Sequence, residues 1–274
     1  MSLSCPTSFA PLIRCSFDLY THTPCTGIKA PGSDDHLYKV ETPRGTIRAL
    51  HIVHATNGWV SHLLPRMVGK IIPARGTMTA QTARDATAED EVGKRSFVRY
   101  PSKTAAVFDY LTQQLPSPSS EKSTSSYPAP DGEMMLGGGF MHAFVSDFAN
   151  ADDSCWSPKV ERYLRKTLGE MFTLREEVRL RSIWSGILGM STDERPWVGR
   201  VPHEISGRDS PTGGGEWIAA GYTGEGMVHA WLSGKALARM VKGEEVGSWF
   251  PEVFSVSVGR WRGTSFENFV WENL

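Results

Sequence analysis

Residues 216–227 read EWIAAGYTGEGM, and this stretch decides the fold. Its first five residues are apolar and aromatic enough for a short buried strand, and three glycines follow within the next six positions. From Met227 the chain continues with strong helix formers to Lys242, and Gly243 stands where helices commonly end. The pattern predicts a strand, a tight glycine turn and an amphipathic helix.

The glycine turn is the strongest candidate for chemistry in the sequence. Gly221, Gly224 and Gly226 allow a ligand to approach the main chain closely, because glycine has no side chain. The first turn of the following helix presents unpaired N–H groups and the positive end of the helix dipole, which favour an anion. However, G-x-x-G-x-G is the reverse of the dinucleotide fingerprint G-x-G-x-x-G, so a cofactor-binding turn and a purely structural turn both stay open.

Composition bounds the class of protein. The 274 residues are 40% hydrophobic and 22% charged, which excludes a wholly disordered, collagen-like or coiled-coil chain. The net charge of −1 gives no indication of nucleic acid or an anionic membrane as partner. The four cysteines have no zinc-site spacing, and we expect no metal. Without an apolar run of about 18 residues or a secretory signal, the chain is predicted to be cytoplasmic.

The remaining pattern predicts strands interleaved with a few helices, which favours a mixed sheet packed by helices. A hairpin is expected around the TPRG turn at residues 42–45, with its second strand running over residues 47–55. Strands are also expected over residues 70–81, as an interrupted strand, and residues 178–190. An apolar stripe from Val160 to Phe172 predicts a helix with its N-cap at residues 152–154. Residues 82–94 and 116–132 are expected to be loops.

Three further features are weaker candidates. Gly137, Gly138 and Gly139 lack the Lys-Ser/Thr of a phosphate loop, which favours a structural bend. His51 and His54 have odd spacing on a strand, which places their rings on opposite faces and argues against a shared metal. No G-x-S-x-G motif is present, so the hydrolase interpretation is poor.

Three blocks of sequence occur in an order that resembles a known family. They are residues 54–59 (HATNGW) with 72–76 (IPARG), residues 135–139 (MLGGG), and residues 184–199 followed by 219–227. In this order they resemble the C-terminal portion of FAD-dependent oxidoreductases of the D-amino-acid oxidase, glycine oxidase and sarcosine oxidase type, in particular the fungal members.

The resemblance implies an α/β (mixed α+β) fold with an incomplete FAD-binding lobe and a substrate lobe built on a mixed or antiparallel sheet. Residues 1–69 would form part of the FAD lobe, residues 70–181 the substrate lobe, and residues 182–274 the return to the FAD lobe. It implies FAD as cofactor, a small amine or amino acid as substrate, and hydride transfer from a C–H next to nitrogen to flavin N5. The implied cofactor residues are Thr56, Gly58, Trp59, Gly221, Tyr222, Gly224, Glu225, Gly226 and Met227. The candidate substrate residues are Arg99, Trp184 and Arg195.

The sequence also departs from the family pattern. Members of the family open with a βαβ unit that carries G-x-G-x-x-G, and these 274 residues contain no such motif. The Arg with which the amino-acid oxidases hold a substrate carboxylate is also not matched near residues 183–188, where Trp184 and Gly186 stand. Two alternatives therefore stay open: a truncated, redox-inactive relative with a binding or non-redox catalytic pocket, and an incomplete gene product.

Overall fold

The candidate site is positioned by two sheets, one large and antiparallel and one small and mixed. The computed structural model describes residues 17–33, 36–82, 96–101, 108–114, 132–172 and 178–266. The strands are β1 (Gly27–Lys29), β2 (Tyr38–Thr42), β3 (Gly45–Ala49), β4 (His51–His54), β5 (Ile71–Thr82), β6 (Ser96–Arg99), β7 (Asp109–Gln113), β8 (Met134–Gly137), β9 (Arg179–Ser191), β10 (Trp197–Arg200) and β11 (Gly215–Ala220). The helices are α1 (Val60–Leu63), α2 (Phe144–Asp147), α3 (Pro158–Phe172), α4 (His203–Ser206), α5 (Gly226–Val241) and α6 (Val258–Gly263). Single 3-10 turns occupy Asn57–Trp59, Pro65–Met67, Phe140–His142 and Glu252–Phe254.

The large sheet has the strand order β6-β7-β8-β5-β9, with every neighbouring pair antiparallel. Helix α3 covers one of its faces, where Leu164 and Leu168 pack with Leu111 and Leu136 in one buried cluster. The predicted helix and the predicted sheet packed by helices are both confirmed. The expected N-cap is wrong, because Asp152 accepts hydrogen bonds from Ser154 instead and α3 begins at Pro158.

The small sheet has the order β10-β11-β4, in which β11 and β4 are parallel. All six residues of β11 are buried, because α5 packs on one face and a second cluster fills the other. On the α5 side, Ala236 and Leu237 contact Val198 and Ala219. The strand, glycine turn and helix predicted from residues 216–240 are therefore confirmed.

The predicted hairpin exists, with Thr42 paired to Gly45, but its second strand is not continuous. The chain leaves the hairpin at Leu50: β3 pairs with β2, whereas β4 joins the small sheet beside β11. The Leu50 carbonyl accepts the N–H of Gly215, which brings the chain into this second sheet. The prediction of one strand over residues 47–55 is therefore wrong, because its two halves pair in two different sheets.

β5 is one unbroken strand, so the interruption predicted from Pro73 and the Arg75-Gly76 step is wrong. Pro73 is paired with Gly189, whose carbonyl accepts the N–H of Thr223 outside the sheet. Because the Gly189 carbonyl accepts from Thr223 and not from β5, the missing N–H of Pro73 removes no hydrogen bond between the two strands at this pair. The loops predicted over residues 82–94 and 116–132 lie outside the described residues, except for Thr82 and Gly132. In the described part of the chain, no helix could cross a membrane and no cluster of side chains could hold a metal ion.

The turn after β9 is tied to the C-terminal segment by a charge pair. Arg260 donates to both carboxylate oxygens of Asp193, at 2.7 and 3.0 Å, while its guanidinium lies 3.8 Å from the centre of the Trp197 ring. Burial alone would raise the pKa of Asp193, but the hydrogen bonds from Arg260 and Ser191 outweigh it and lower that pKa. The pair therefore stabilises the fold only while the carboxylate is ionised.

We expect Asp193→Asn to lower the free energy of unfolding by about 1 kcal/mol at pH 7. A lowered folded-state pKa gives stability that is present above the unfolded pKa, near 3.9, and is lost as the pH falls through the folded pKa. The difference between variant and wild type should therefore shrink as the pH falls below about 4. Urea denaturation at several pH values measures this difference in the free energy of unfolding. The control is Asp209→Asn, at an exposed residue. A difference that persists unchanged to low pH would contradict the assignment.

Candidate functional site

The glycine turn ends in an open helix start. Gly221, Thr223 and Gly224 have φ values of 78°, 51° and 89°, a left-handed conformation that turns the chain sharply from β11 into α5. The Glu225 carbonyl accepts the N–H groups of Val228 and His229. The amides of Gly226 and Met227 precede these residues, so no turn of the helix lies before them to accept their hydrogen bonds.

Space in front of this helix start is kept free by the glycines. A Cβ added to Gly224 or to Gly226 would meet no atom of the described residues within 4 Å, and the Met227 side chain is 98% exposed. The amides and the positive end of the helix dipole thus face an accessible space. A group that carries partial negative charge fits this arrangement.

Asn57 holds the glycine turn in place through its side-chain oxygen. It adopts a left-handed φ of 46°, and its Oδ1 accepts the N–H groups of Gly221 at 3.0 Å and Tyr222 at 3.4 Å. The sequence resemblance predicts its neighbours Thr56, Gly58 and Trp59 as cofactor residues, but not Asn57 itself. The available signal was its type and place, since asparagine tolerates positive φ and this one follows the end of a strand.

The turn also contacts the large sheet at β9. Thr223 donates its N–H to the Gly189 carbonyl at 2.8 Å, and its hydroxyl accepts the Ser191 N–H at 3.1 Å. A Cβ on Gly189 would lie 2.4 Å from Asn57 Oδ1, and one on Gly58 would lie 2.7 Å from the Leu188 carbonyl oxygen. Two glycines therefore permit the close approach that joins the two sheets.

The other predicted cofactor residues lie around this turn with different environments. Thr56 accepts the Trp59 N–H through its carbonyl, and the Trp59 side chain is 48% exposed. Burial raises the pKa of Tyr222, whose hydroxyl is hydrogen-bonded to Ser233 within α5. Tyr222 therefore anchors the helix, whereas Trp59 remains accessible.

A buried charge network supports β4 and β11 behind the turn. Glu216 accepts two hydrogen bonds from Arg208, both at 2.7 Å, and its Oε2 lies 2.9 Å from His54 Nε2. The side chains of His54 and Glu216 are each 1% exposed. Burial opposes ionisation of Glu216, but the hydrogen bonds from Arg208 and His54 prevail and lower its pKa. His51, on the other side of β4, instead contacts the Trp217 indole N–H, so the two histidines are separated as expected.

The face of the large sheet opposite α3, here called the open face, carries a row of aligned residues, one from each of the five strands. Alternate residues of a strand point to opposite faces, and the α3 face contains Leu111 and Leu136. The register then aligns the next residues across the open face as Val98, Tyr110, Gly137, Met78 and Trp184. The Tyr110 ring lies over Gly137, where a Cβ would come within 2.5 Å of its Cζ.

Among the three candidate substrate residues, only Trp184 lies on the open face. The Arg99 guanidinium points to the other face, where it binds the buried carboxylate of Asp109 at 3.1 Å and the hydroxyl of Tyr163 at 2.8 Å. Arg195 lies in the turn after β9, where its backbone donates to Asp193 and accepts from Arg260. Tyr110 could not be predicted from the sequence, because its place in the same row as Trp184 depends on pairings across four strands.

Comparison with known proteins identifies the family. The model of the family described as DAO, FAD dependent oxidoreductase, matches residues 16–240. The chain belongs to this family. No curated protein matches the chain significantly.

Solved structures of a glycine oxidase, an L-proline dehydrogenase and Amadoriase I share the fold. Glycine oxidase from Geobacillus kaustophilus is 20% identical with a TM-score of 0.60, and the match covers 88% of this chain and 53% of that one. L-proline dehydrogenase from P. horikoshii is 18% identical with a TM-score of 0.59, covering 85% and 53%. Fructosyl amine:oxygen oxidoreductase (Amadoriase I) from Aspergillus fumigatus is 13% identical with a TM-score of 0.54, covering 90% and 49%. The chain thus spans about half the length of these structures.

The residues present fit one end of the family's cofactor. The glycine-lined space before α5 can receive the edge of a flavin ring, and the Gly226 and Met227 amides can donate to it. The 274 residues contain no G-x-G-x-x-G, so the pyrophosphate-binding turn typical of the family is not matched in this sequence. The fit therefore concerns the ring end alone.

Proposed function

We propose that this chain binds the ring end of FAD and oxidises a small amine or amino acid. Support comes from a single juxtaposition: the open start of α5 is tied through Thr223 to β9, the strand that carries Trp184 on the open face. A cofactor edge at α5 and a substrate at the open face would then share one strand. When bound, FAD supplies the chemistry by accepting a hydride at N5 from a carbon next to nitrogen.

The chain's own residues would bind and orient the reactants. The Gly226 and Met227 amides, at the positive end of the α5 dipole, would stabilise negative charge on the ring without reorganisation, because the helix is already formed. Thr56, Gly58 and Trp59, with Gly221, Tyr222, Gly224 and Glu225, would shape the space. Residues 1–69 and 182–274 would form the cofactor lobe, and residues 70–181 the substrate lobe.

Titration of the full chain with FAD tests this function, with Gly226→Val as the decisive variant. A valine at Gly226 projects into the free space before α5, so we expect FAD affinity to fall at least about 10-fold while the fold is retained. Flavin difference spectra measure the affinity, and anaerobic bleaching by added amines measures the hydride transfer. A wild-type chain that gives no flavin difference spectrum would overturn the proposal.

Gly234→Val is the matched control for this variant. Gly234 lies in the same helix, two turns after Gly226, and a Cβ there also meets no described atom within 4 Å. Gly234→Val therefore makes the same substitution in the interior of α5, away from the proposed contact. Equal FAD affinities of the two variants would show that the start of α5 does not contact the cofactor.

A second candidate function is ligand binding without redox chemistry, in which the half-exposed Trp184 and the free space at Gly186 would hold the ligand. In that case the open face would bind its ligand with an affinity that does not depend on added FAD. Isothermal titration of the chain with amines, with and without FAD, separates the two candidates.

A further inference from the structure

The open face contains a trough floored by two glycines. Gly76 and Gly186 are directly paired across β5 and β9, on the same face as Met78 and Trp184 and two residues farther along. A Cβ on Gly186 would meet no atom of the described residues within 4 Å. Leu188 already covers the place of a Cβ on Gly76, so the depression lies over Gly186 and is about one side chain wide.

The walls of this trough are apolar and aromatic. Met78 and Trp184 stand at one end, and Trp184 is 40% exposed. Leu188 stands at the other end, with its Cδ1 3.3 Å from the place of a Cβ on Gly76. Such surfaces bind an apolar or aromatic group and attract a cation to the faces of their rings.

One hydroxyl reaches this apolar row. Tyr110 lies flat over Gly137, the neighbour of Met78, and its hydroxyl oxygen would lie 2.6 Å from a Cβ on Gly137. Burial raises the pKa of Tyr110, so its hydroxyl stays protonated at neutral pH. It can therefore either donate to or accept from a nitrogen held above the row.

In the part of the chain that the structure describes, the guanidinium groups of Arg75 and Arg99 face away from the trough and are already neutralised. Arg75 donates to the buried carboxylate of Asp147, at 2.6 and 3.1 Å, and Arg99 binds Asp109. Both pairs lie on the face that α2 and α3 cover. A carboxylate placed in the trough would lose its hydrating water without forming an ion pair with Arg75 or Arg99.

We infer that the trough takes an apolar, preferably aromatic, amine that carries no carboxylate. Its apolar part lies over Gly186 against Trp184, and the ring of Trp184 attracts its ammonium group. Only the oxidation of this amine rests on the function proposed above. Binding itself requires no flavin.

Two probes of matched size and opposite charge test the inference on the full chain. We expect isothermal titration to show benzylamine binding at least about 10-fold more tightly than benzoate, because the Trp184 ring offsets the desolvation of the ammonium group, whereas Arg75 and Arg99 are turned away from the carboxylate. Gly186→Val should weaken benzylamine binding about 10-fold by filling the trough, although valine suits a strand and leaves the fold intact. Gly234→Val, far along α5, should leave the affinity unchanged.

Three results would overturn the inference: tighter binding of benzoate, no binding of benzylamine, or full benzylamine affinity in Gly186→Val. These readouts are separate from those of the proposed function. If benzylamine binds but the flavin is neither bound nor reduced, the ligand class stands and the redox function fails. If FAD binds and is reduced only by amino acids, the redox function stands and the ligand class fails.

Discussion

Glu216→Ala is expected to lower the free energy of unfolding by about 3–5 kcal/mol, the range found when one partner of a buried ion pair is removed. Glu216 is the shared acceptor of Arg208 and His54, and its side chain is 1% exposed. Its removal leaves the Arg208 guanidinium largely buried without a counter-charge and opens a cavity between β4 and β11. Urea denaturation at pH 7 measures the loss.

Two controls separate this effect from a general cost of losing a carboxylate. Glu244→Ala removes an exposed partner of Lys242 and should leave the unfolding midpoint unchanged, because surface pairs contribute little. Glu216→Gln keeps an acceptor oxygen and the side-chain volume, so it should lower the free energy of unfolding by less than Glu216→Ala does. Equal stabilities of Glu216→Ala and the wild type would show that the buried network does not hold the two strands.

Gly189→Ala is expected to destabilise the protein by about 1–3 kcal/mol and to weaken FAD binding together with it. The new Cβ would lie 2.4 Å from Asn57 Oδ1 and 2.9 Å from the Gly58 backbone nitrogen. Because the backbone cannot give way as a long side chain can, Asn57 must move from the Gly221 amide that it holds. Urea denaturation and FAD titration measure the two effects.

Gly186→Ala is the matched control, since it makes the same change three residues earlier on β9. A Cβ there meets no described atom within 4 Å, so stability and FAD affinity should stay at wild-type values. A Gly189→Ala protein as stable as Gly186→Ala would mean that the contact between Asn57 and β9 tolerates a shift without cost.

Local patterns predicted much of the fold. The buried strand, glycine turn and helix from Glu216 onwards, the amphipathic α3 and the hairpin at residues 42–45 are all confirmed. Each depends on residues close together in the chain, where periodicity and turn chemistry act directly. The break at Leu50 could not be predicted, because it depends on Gly215, which lies far along the chain.

The candidate site divides in the same way. The glycine turn was found from its residues alone, whereas Asn57 gains its role only through the distant Gly221 amide. Arg99 was chosen for its charge, but its pairing with Asp109 turns it towards α3 and away from Trp184.

The sequence by itself determined that the chain contains an anion-ready helix start after a buried strand, and that it resembles FAD-dependent oxidoreductases. Only the tertiary structure decided which side chains share the open face, because Tyr110 and Trp184 are aligned by the register of β7, β8, β5 and β9. Register is set by the packing of one sheet face against its core, and a shift of one residue would turn every side chain to the opposite face. This physical reason makes the cofactor end of the site readable from local sequence and the substrate end readable only from the folded sheet.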